Sequence, residues 1–324
     1  TQLTNLIYSK TSGNPFFLRQ TLKTLVEKQA IFFDMKSGQW KWDISILQGM
    51  NIADNVADLM LGKIRLLSPE TQRILPLAAC IGFKFDLSNL GIIAEQPEDT
   101  AMADLRPALR EGLVVPLGDE FQFVHDRVQQ AAYSLIPDTE KKQVHLKIGR
   151  LLLKHLHELD EEEQLFTVVD HLNIGAELLK ERNDKLELAD LNLRAGSKAR
   201  DSAAFSAAAR YFGAGIVLLD DESWKTDYHL ALQLFSRAAA MESLLGGFEK
   251  TEQLFAIVTG NARTAEDMVD VYLSRMHSYI SQGRLKEAVD PSLEGYERLG
   301  CPISSQAPQK ETGHFARSNG RLPC

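Results

Sequence analysis

The stretch Phe121–Ile136, FQFVHDRVQQAAYSLI, decides the fold. Phe121 and Phe123 alternate with Gln122, the two-residue period of a half-buried strand. Val128, Ala131, Ala132 and Leu135 then recur at i, i+3, i+4 and i+7, which makes one apolar helix face. The change of period falls at His125-Asp126. The Asp126 carboxylate can accept from the open amides of a first turn, so it is the expected N-cap, and Pro137 is expected to end the helix. Short mixed elements precede this stretch, and long helices follow it.

Toward the N-terminus, residues 5–9 read as the end of a helix. Ser12-Gly13-Asn14-Pro15 breaks and restarts the chain, with Asn14 as a cap and Pro15 at N1, where a missing amide costs nothing. Ile31-Phe32-Phe33 and Trp40-Lys41-Trp42 flank Lys36-Ser37-Gly38 as a hairpin. Helices are expected over Val56–Leu67, from Ser68-Pro69-Glu70 to about Ile81, as a short element opening at Phe85-Asp86, and over Pro97–Arg110 with Gly112 closing it. Leu113–Val115 and Phe121–Phe123 form a hairpin around Gly118-Asp119. Helices followed by a two-stranded hairpin are the order of a winged helix, assigned here to residues 55–136.

Past Asp138 the strand signal disappears, and residues 138–300 read as consecutive amphipathic helices. Ala204-Phe205, Gly247-Phe248 and Arg284-Leu285 each open a short similar motif. The last two lie 37 residues apart and the first two 43, against the roughly 34 of a tetratricopeptide repeat. Irregular helical hairpins of this kind stack into a solenoid with a concave binding face. Residues 304–324 hold Gly, Ser, Asn, Gln and Arg with few apolar residues, and are expected to be a disordered or aberrant tail. The fold expected is therefore mainly α: a helical segment over 1–45, a winged helix with a small β-hairpin, and a tetratricopeptide-like α-solenoid.

Composition sets limits on function. The 324 residues are 44% hydrophobic and 25% charged, with 44 acids against 36 bases and a net charge of −8. That balance disfavours a chain whose main task is to neutralise phosphates. No apolar run approaches the roughly 18 residues of a membrane span, and no basic-then-apolar leader opens the sequence. Cys80, Cys301 and Cys324 lie far apart without a C-x-x-C, so neither a disulfide framework nor a zinc site is indicated, and a reducing, cytoplasmic setting is expected. The chain opens at Thr1 in mid-pattern and reads as part of something longer.

Catalytic signatures fail in turn. Gly62-Lys63 lacks the first glycine of a phosphate loop and is followed by Ile64. His125-Asp126-Arg127 has the letters of a kinase catalytic loop in the wrong order. Gly196-Ser197 lacks the flanks of a nucleophile elbow. His155 and His157 point to different helix faces, and the acid run 160–163 suits a loop or a helix start. Two motifs survive, Gly13-Asn14-Pro15 and His125-Asp126, each of which also reads as plain helix capping.

The order G-N-P-F-F-L, winged-helix-like region, F-x-F-x-H-D-R-V-Q-Q-A-A-Y-S-L-I and helical repeats resembles the C-terminal half of a STAND-type, AAA+-related signalling ATPase. It is most similar to the predicted-ATPase module of large bacterial multi-sensor kinases of the serine/threonine kinase–ATPase–sensor histidine kinase type. The resemblance covers about residues 1–300. It implies that Gly13-Asn14-Pro15 is the lid motif, with Pro15 beside the adenine. It also implies that Val124-His125-Asp126 stands for the Met-His-Asp motif, with Val for Met and His125 reaching the β-phosphate of ADP. Walker motifs are absent, so the chain alone is not expected to hydrolyse ATP. ATP or ADP, with Mg²⁺, would be held by a P-loop core outside this chain. The implied partners are that core and a kinase domain upstream, sensor and kinase domains downstream, and proteins docking on the helical arm. The alternatives are a freestanding helical scaffold and, ranked last, a DNA-binding winged-helix regulator. Residues 95–111 place five acids against Arg106 and Arg110, the wrong sign for DNA.

Overall fold

The computed structural model describes residues 2–11, 13, 15–43, 56–155 and 161–289, together with Leu293. Asn14, His157 and the tail 304–324 lie outside the described residues. The chain divides into two compact units, Thr1–Lys180 and Glu181–Cys324. The fold is mainly α with small antiparallel sheets, as expected, and its helices are consistent with a helical solenoid.

The first unit opens with α1 (Gln2–Thr11) and α2 (Pro15–Glu27). Strands β1 (Ile31–Asp34) and β2 (Gln39–Trp42) follow as an antiparallel hairpin, with Ile31 opposite Trp42 and Gly38 at φ 67° in the loop. Ile7, Leu25, Ala30 and Ile31 form a small core of their own.

The next set is α3 (Val56–Ile64), α4 (Pro69–Ile81), β3 (Lys84–Phe85), α5 (Leu87–Ala94), α6 (Glu98–Arg110), β4 (Val114–Leu117) and β5 (Glu120–Phe123). Local chemistry explains the boundaries. The Ser68 hydroxyl accepts from the Thr71 amide, with Pro69 at N1. Gly112, at φ 66°, ends α6 in a Schellman turn: its amide bonds Leu109 O and the Leu113 amide bonds Ala108 O. Gly118, at φ 64°, opens the two-residue loop between β4 and β5. The sheet order is β3-β5-β4, with Phe85 opposite Phe121 and Val114 opposite Phe123. Phe85, Phe121 and Phe123 stack over a core that includes Met60, Leu75, Leu90 and Leu105. Helices followed by the β4–β5 hairpin are the element order that the sequence led one to expect here.

Four boundaries differ from the sequence expectation. Phe85 belongs to a two-residue strand, and the helix after it starts at Leu87 behind the Asp86 cap. The helix expected over Val56–Leu67 stops at Ile64, where Leu66 and Leu67 make short three-residue turn bonds. The helix after β5, α7 (Asp126–Tyr133), has His125 rather than Asp126 as its N-cap. The backbone stays extended through His125, because the Val124 amide still bonds Leu113 O, so Asp126 is the first helical residue. That helix ends at Tyr133 by tightening into three-residue turns, and Pro137 caps the following helix instead of ending this one.

The first unit continues through α8 (Asp138–Lys154) and α9 (Glu161–Ile174). They pack closely at two glycines. A Cβ on Gly149 would meet the Leu172 side chain at 2.7 Å, and one on Gly175 would meet Leu146 Cβ at 2.6 Å.

The second unit pairs α10 (Arg182–Asp201) with α11 (Phe205–Val217), and α13 (Tyr228–Leu245) with α14 (Phe248–Asn261). The short α12 (Ser223–Thr226) joins the pairs, and α15 (Val269–Ser281) leads into helical residues 285–289. The motifs at Phe205, Phe248 and Leu285 each open the second helix of a pair. Two residues before each stands a left-handed residue: Ala203 at φ 58°, Gly246 at 80° and Gly283 at 72°. Close packing fixes the stack, since a Cβ on Gly196 would meet the Phe212 ring at 2.5 Å. Among the described residues no helix is long and apolar enough to cross a membrane.

Candidate functional site

Gly13 and Pro15 occupy the turn between α1 and α2. Gly13 has φ 76°, a left-handed conformation that favours glycine, and a Cβ there would approach the exposed Tyr8 ring at 3.1 Å. Pro15 is the exposed first residue of α2. Further along α2, Lys23 Nζ lies 3.3 Å from Glu111 Oε2, just past the end of α6. Lys63 stands half-buried in the same neighbourhood; burial and then the Lys23 charge hold its pKa below the usual lysine range. Gly62-Lys63 lies inside α3, where backbone amides are engaged in the helix and cannot cradle a phosphate.

His125 and Asp126 sit where the middle strand β5 hands over to α7. The His125 backbone is extended, at φ −158° and ψ 150°. The Arg127 amide reaches Asp126 Oδ1 at 2.7 Å and His125 Nδ1 at 3.2 Å. Nδ1 and Asp126 Oδ1 are also in direct contact. Asp126 thus stands against the imidazole at the C-terminal end of the middle strand, with the His125 side chain 30% exposed. The structure thus brings His125 and Asp126 together. Gly13 and Pro15 lie in a different turn, on a helix packed against α1 and β1, whereas α7 packs against α3, α4 and β5.

These residues suit a contributory role. Neither motif supplies a phosphate loop. Among the described residues no cluster of three or more His, Cys, Asp or Glu could hold a metal ion.

Two polar features escaped the sequence reading. The first joins α7, α8 and α9. The Tyr133 hydroxyl lies 2.9 Å from His145 Nε2, and His145 Nδ1 lies 2.7 Å from His171 Nδ1. Both rings are buried, at 4% and 5% exposure. Burial, reinforced by the His145 charge, pushes the His171 pKa down to about 4, and burial lowers His145 too. The pair is neutral, one nitrogen donating and the other accepting. His145 falls in register with buried Ile148, Gly149 and Leu152, and that periodicity was a visible signal of burial. Cys80 is half-buried, and burial raises its thiol to about 12, so it is no ready nucleophile. The second feature is an arginine-bearing cleft in the second unit. Ser197 belongs to it: its hydroxyl donates to Leu193 O at 2.6 Å and accepts from Arg237.

No family profile matches the chain. It is similar to the hybrid signal transduction histidine kinase G of Dictyostelium discoideum, at 27% identity over 360 aligned residues. That alignment spans 92% of this chain and 10% of the relative. It is also similar to the peroxide stress-activated histidine kinase mak3 of Schizosaccharomyces pombe, at 20% identity over 186 residues, 55% of this chain and 8% of the relative. Among solved structures it aligns with a signal transduction ATPase with numerous domains carrying a tetratricopeptide repeat sensor, from Pyrococcus horikoshii. The identity is 14% and the TM-score 0.34, covering 90% of this chain and 44% of that one. The chain spans about a tenth of the length of the curated relatives it matches.

Proposed function

We propose that the chain is the regulatory part of a signalling protein. In this reading residues 1–45 are the end of an ATPase lid. Residues 55–136 are a winged helix that responds to ADP or ATP held by a P-loop core elsewhere in the polypeptide. Residues 138–300 are an arm that relays to partner proteins or to sensor and kinase domains. The parent protein would be an ATP-binding kinase or ATPase, acting in the cytoplasm. A bound nucleotide would supply a phosphate anion near the end of β5 and an adenine near the lid. The observation that carries the reading is the seat of His125, a carboxylate-oriented imidazole where β5 becomes α7. Likeness to a histidine kinase along nearly the whole chain supports the signalling context.

The work of these residues is positional. Asp126 stands against His125 Nδ1 and holds the ring in place, leaving Nε2 to face a phosphate oxygen. A domain tied to the nucleotide by one such bond shifts its population when the phosphate pattern changes. The DNA-binding reading has less support, because the first turn of α6 carries Glu98 and Asp99.

The test is ADP affinity of the longer polypeptide that contains the P-loop core. A hydrogen bond to a charged group contributes about 1.5–3 kcal/mol, so His125→Ala is expected to weaken ADP by roughly tenfold or more. Unchanged affinity in both His125→Ala and Pro15→Ala would overturn the proposal and favour a freestanding scaffold.

A further inference from the structure

A chain of polar contacts runs through the largely apolar meeting of α7, α8 and α9. The Tyr133 hydroxyl, on the last residue of α7, lies 2.9 Å from His145 Nε2 on α8, and His145 Nδ1 lies 2.7 Å from His171 Nδ1 on α9. The two imidazoles stack with 4.9 Å between centroids and 28° between planes. Ile148 and Leu152 of α8 and Val168 and Leu172 of α9 are buried in the same interface.

A neutral imidazole carries one donor and one acceptor nitrogen. Both nitrogens of His145 are engaged, so the donors run in one direction along the chain, from Tyr133 to His171 or the reverse. Either direction satisfies the pair with both rings neutral. One added proton leaves a unit charge in the buried stack, and a second sets N–H against N–H at the contact of the two rings. The surroundings offer that charge no counter-ion. Among the described residues neither ring is paired with a carboxylate. Burial, and then Lys141 of α8, oppose an imidazolium at His145; Lys141 itself pairs with Asp138 and stands 4.7 Å from the Tyr133 ring centre. Lys142 pairs with Glu177 beyond α9, and Lys147 with Glu95 at the end of α5. Cys80 of α4, the other titratable group near Tyr133, keeps its proton. Asp170 precedes His171 on α9 and is turned about 100° from it around the helix.

We propose that Tyr133, His145 and His171 form a proton-released latch. Closed and neutral, it ties α7 to the α8–α9 pair; when the two histidines take up a proton, α9 parts locally from α8 while the rest of the first unit stays folded. Parting and proton uptake are one event, because a buried ring recovers its ordinary basicity only in contact with water. The parting is local because α9 packs chiefly on α8 and on the single turn that follows it, and contributes nothing to the core around Met60, Leu75 and Phe123. The helix tied down is the one that begins behind His125, so the latch sets how firmly that helix is joined to the next two. The proposal does not rest on the nucleotide reading.

The test is native-state amide exchange of the 324-residue chain between pH 7 and pH 5, corrected for intrinsic exchange. One proton taken up on opening predicts that protection of residues 165–174 falls roughly twentyfold over that range. At pH 5 their exchange is expected to be nearly independent of urea added below the unfolding transition, whereas residues 74–79 of α4 follow the full urea slope. His171→Gln is expected to weaken the pH dependence, since its amide takes up no proton. Tyr133→Phe removes one neutral bond and is expected to raise exchange of 165–174 about two- to tenfold at pH 7, with the pH dependence kept. If His171→Gln does not fold, the wild-type pH series and Tyr133→Phe decide the matter. Exchange of 165–174 that ignores pH, a pH dependence unchanged in His171→Gln, or Tyr133→Phe exchanging like the wild type overturns the proposal. Residues 165–174 matching 74–79 in rate and urea slope at pH 5 also overturns it, in favour of ordinary acid unfolding of the whole unit.

Discussion

His171 shows how much one buried side chain can couple the fold to pH. In the unfolded chain its imidazole takes up a proton near 6.5, whereas in the fold it resists to about 4. Below pH 6.5 the unfolded state therefore binds more protons, and stability falls as pH falls until it levels near pH 4. The difference corresponds to about 3 kcal/mol from this residue. Chemical denaturation at pH 7, 5.5 and 4 measures it. The wild type is expected to lose stability steeply over that range, and His171→Gln, which stays neutral but can still bond His145, to lose less. Equal slopes would show that the buried pair does not govern the acid limb. The His125 seat, by contrast, depends on a neighbour one residue away. The sequence named Asp126 as the cap and left His125 at the strand end, because either side chain can cap a helix. Which one does so is decided by how far the strand stays extended, through the Val124–Leu113 bond.

Elements defined by local chemistry were legible in the sequence. Ser68-Pro69-Glu70, the Gly112 turn and the Gly118-Asp119 loop all carry their instructions within a few residues. Strand β3 was not legible. Two residues show no alternation, and Lys84–Phe85 is a strand only because β5 lies beside it. The helix pairs of the second unit were legible through the repeated motif at their second helices, and the structure adds the device that turns the chain there. Ala203 performs with a Cβ what Gly246 and Gly283 do without one. A left-handed alanine costs about 1–2 kcal/mol, partly offset by the roughly 0.4–1 kcal/mol that glycine loses through its freer unfolded state. Ala203→Gly is therefore expected to stabilise the protein by about 0.5–1 kcal/mol. A higher urea midpoint at unchanged slope would confirm it, and a lower one would mean that the Ala203 methyl is needed for packing.

At the scale of the whole molecule, the first unit and the helical pairs of the second are two compact units with different chemistry. The first unit presents an imidazole at the end of the middle strand, and the second an arginine cleft assembled from three helices. The cleft was invisible in sequence because Arg200 and Arg237 are 37 positions apart and only helix stacking makes them neighbours. The central claim is that the β5–α7 junction responds to a nucleotide held by a core outside this chain. The most direct measurement is amide hydrogen exchange across residues 120–135 in the longer polypeptide, with ADP and with a non-hydrolysable ATP analogue. The account predicts stronger protection of this segment with ADP than with the analogue, and loss of that difference in His125→Ala. Identical exchange in both nucleotide states, or a difference that persists in His125→Ala, would contradict it.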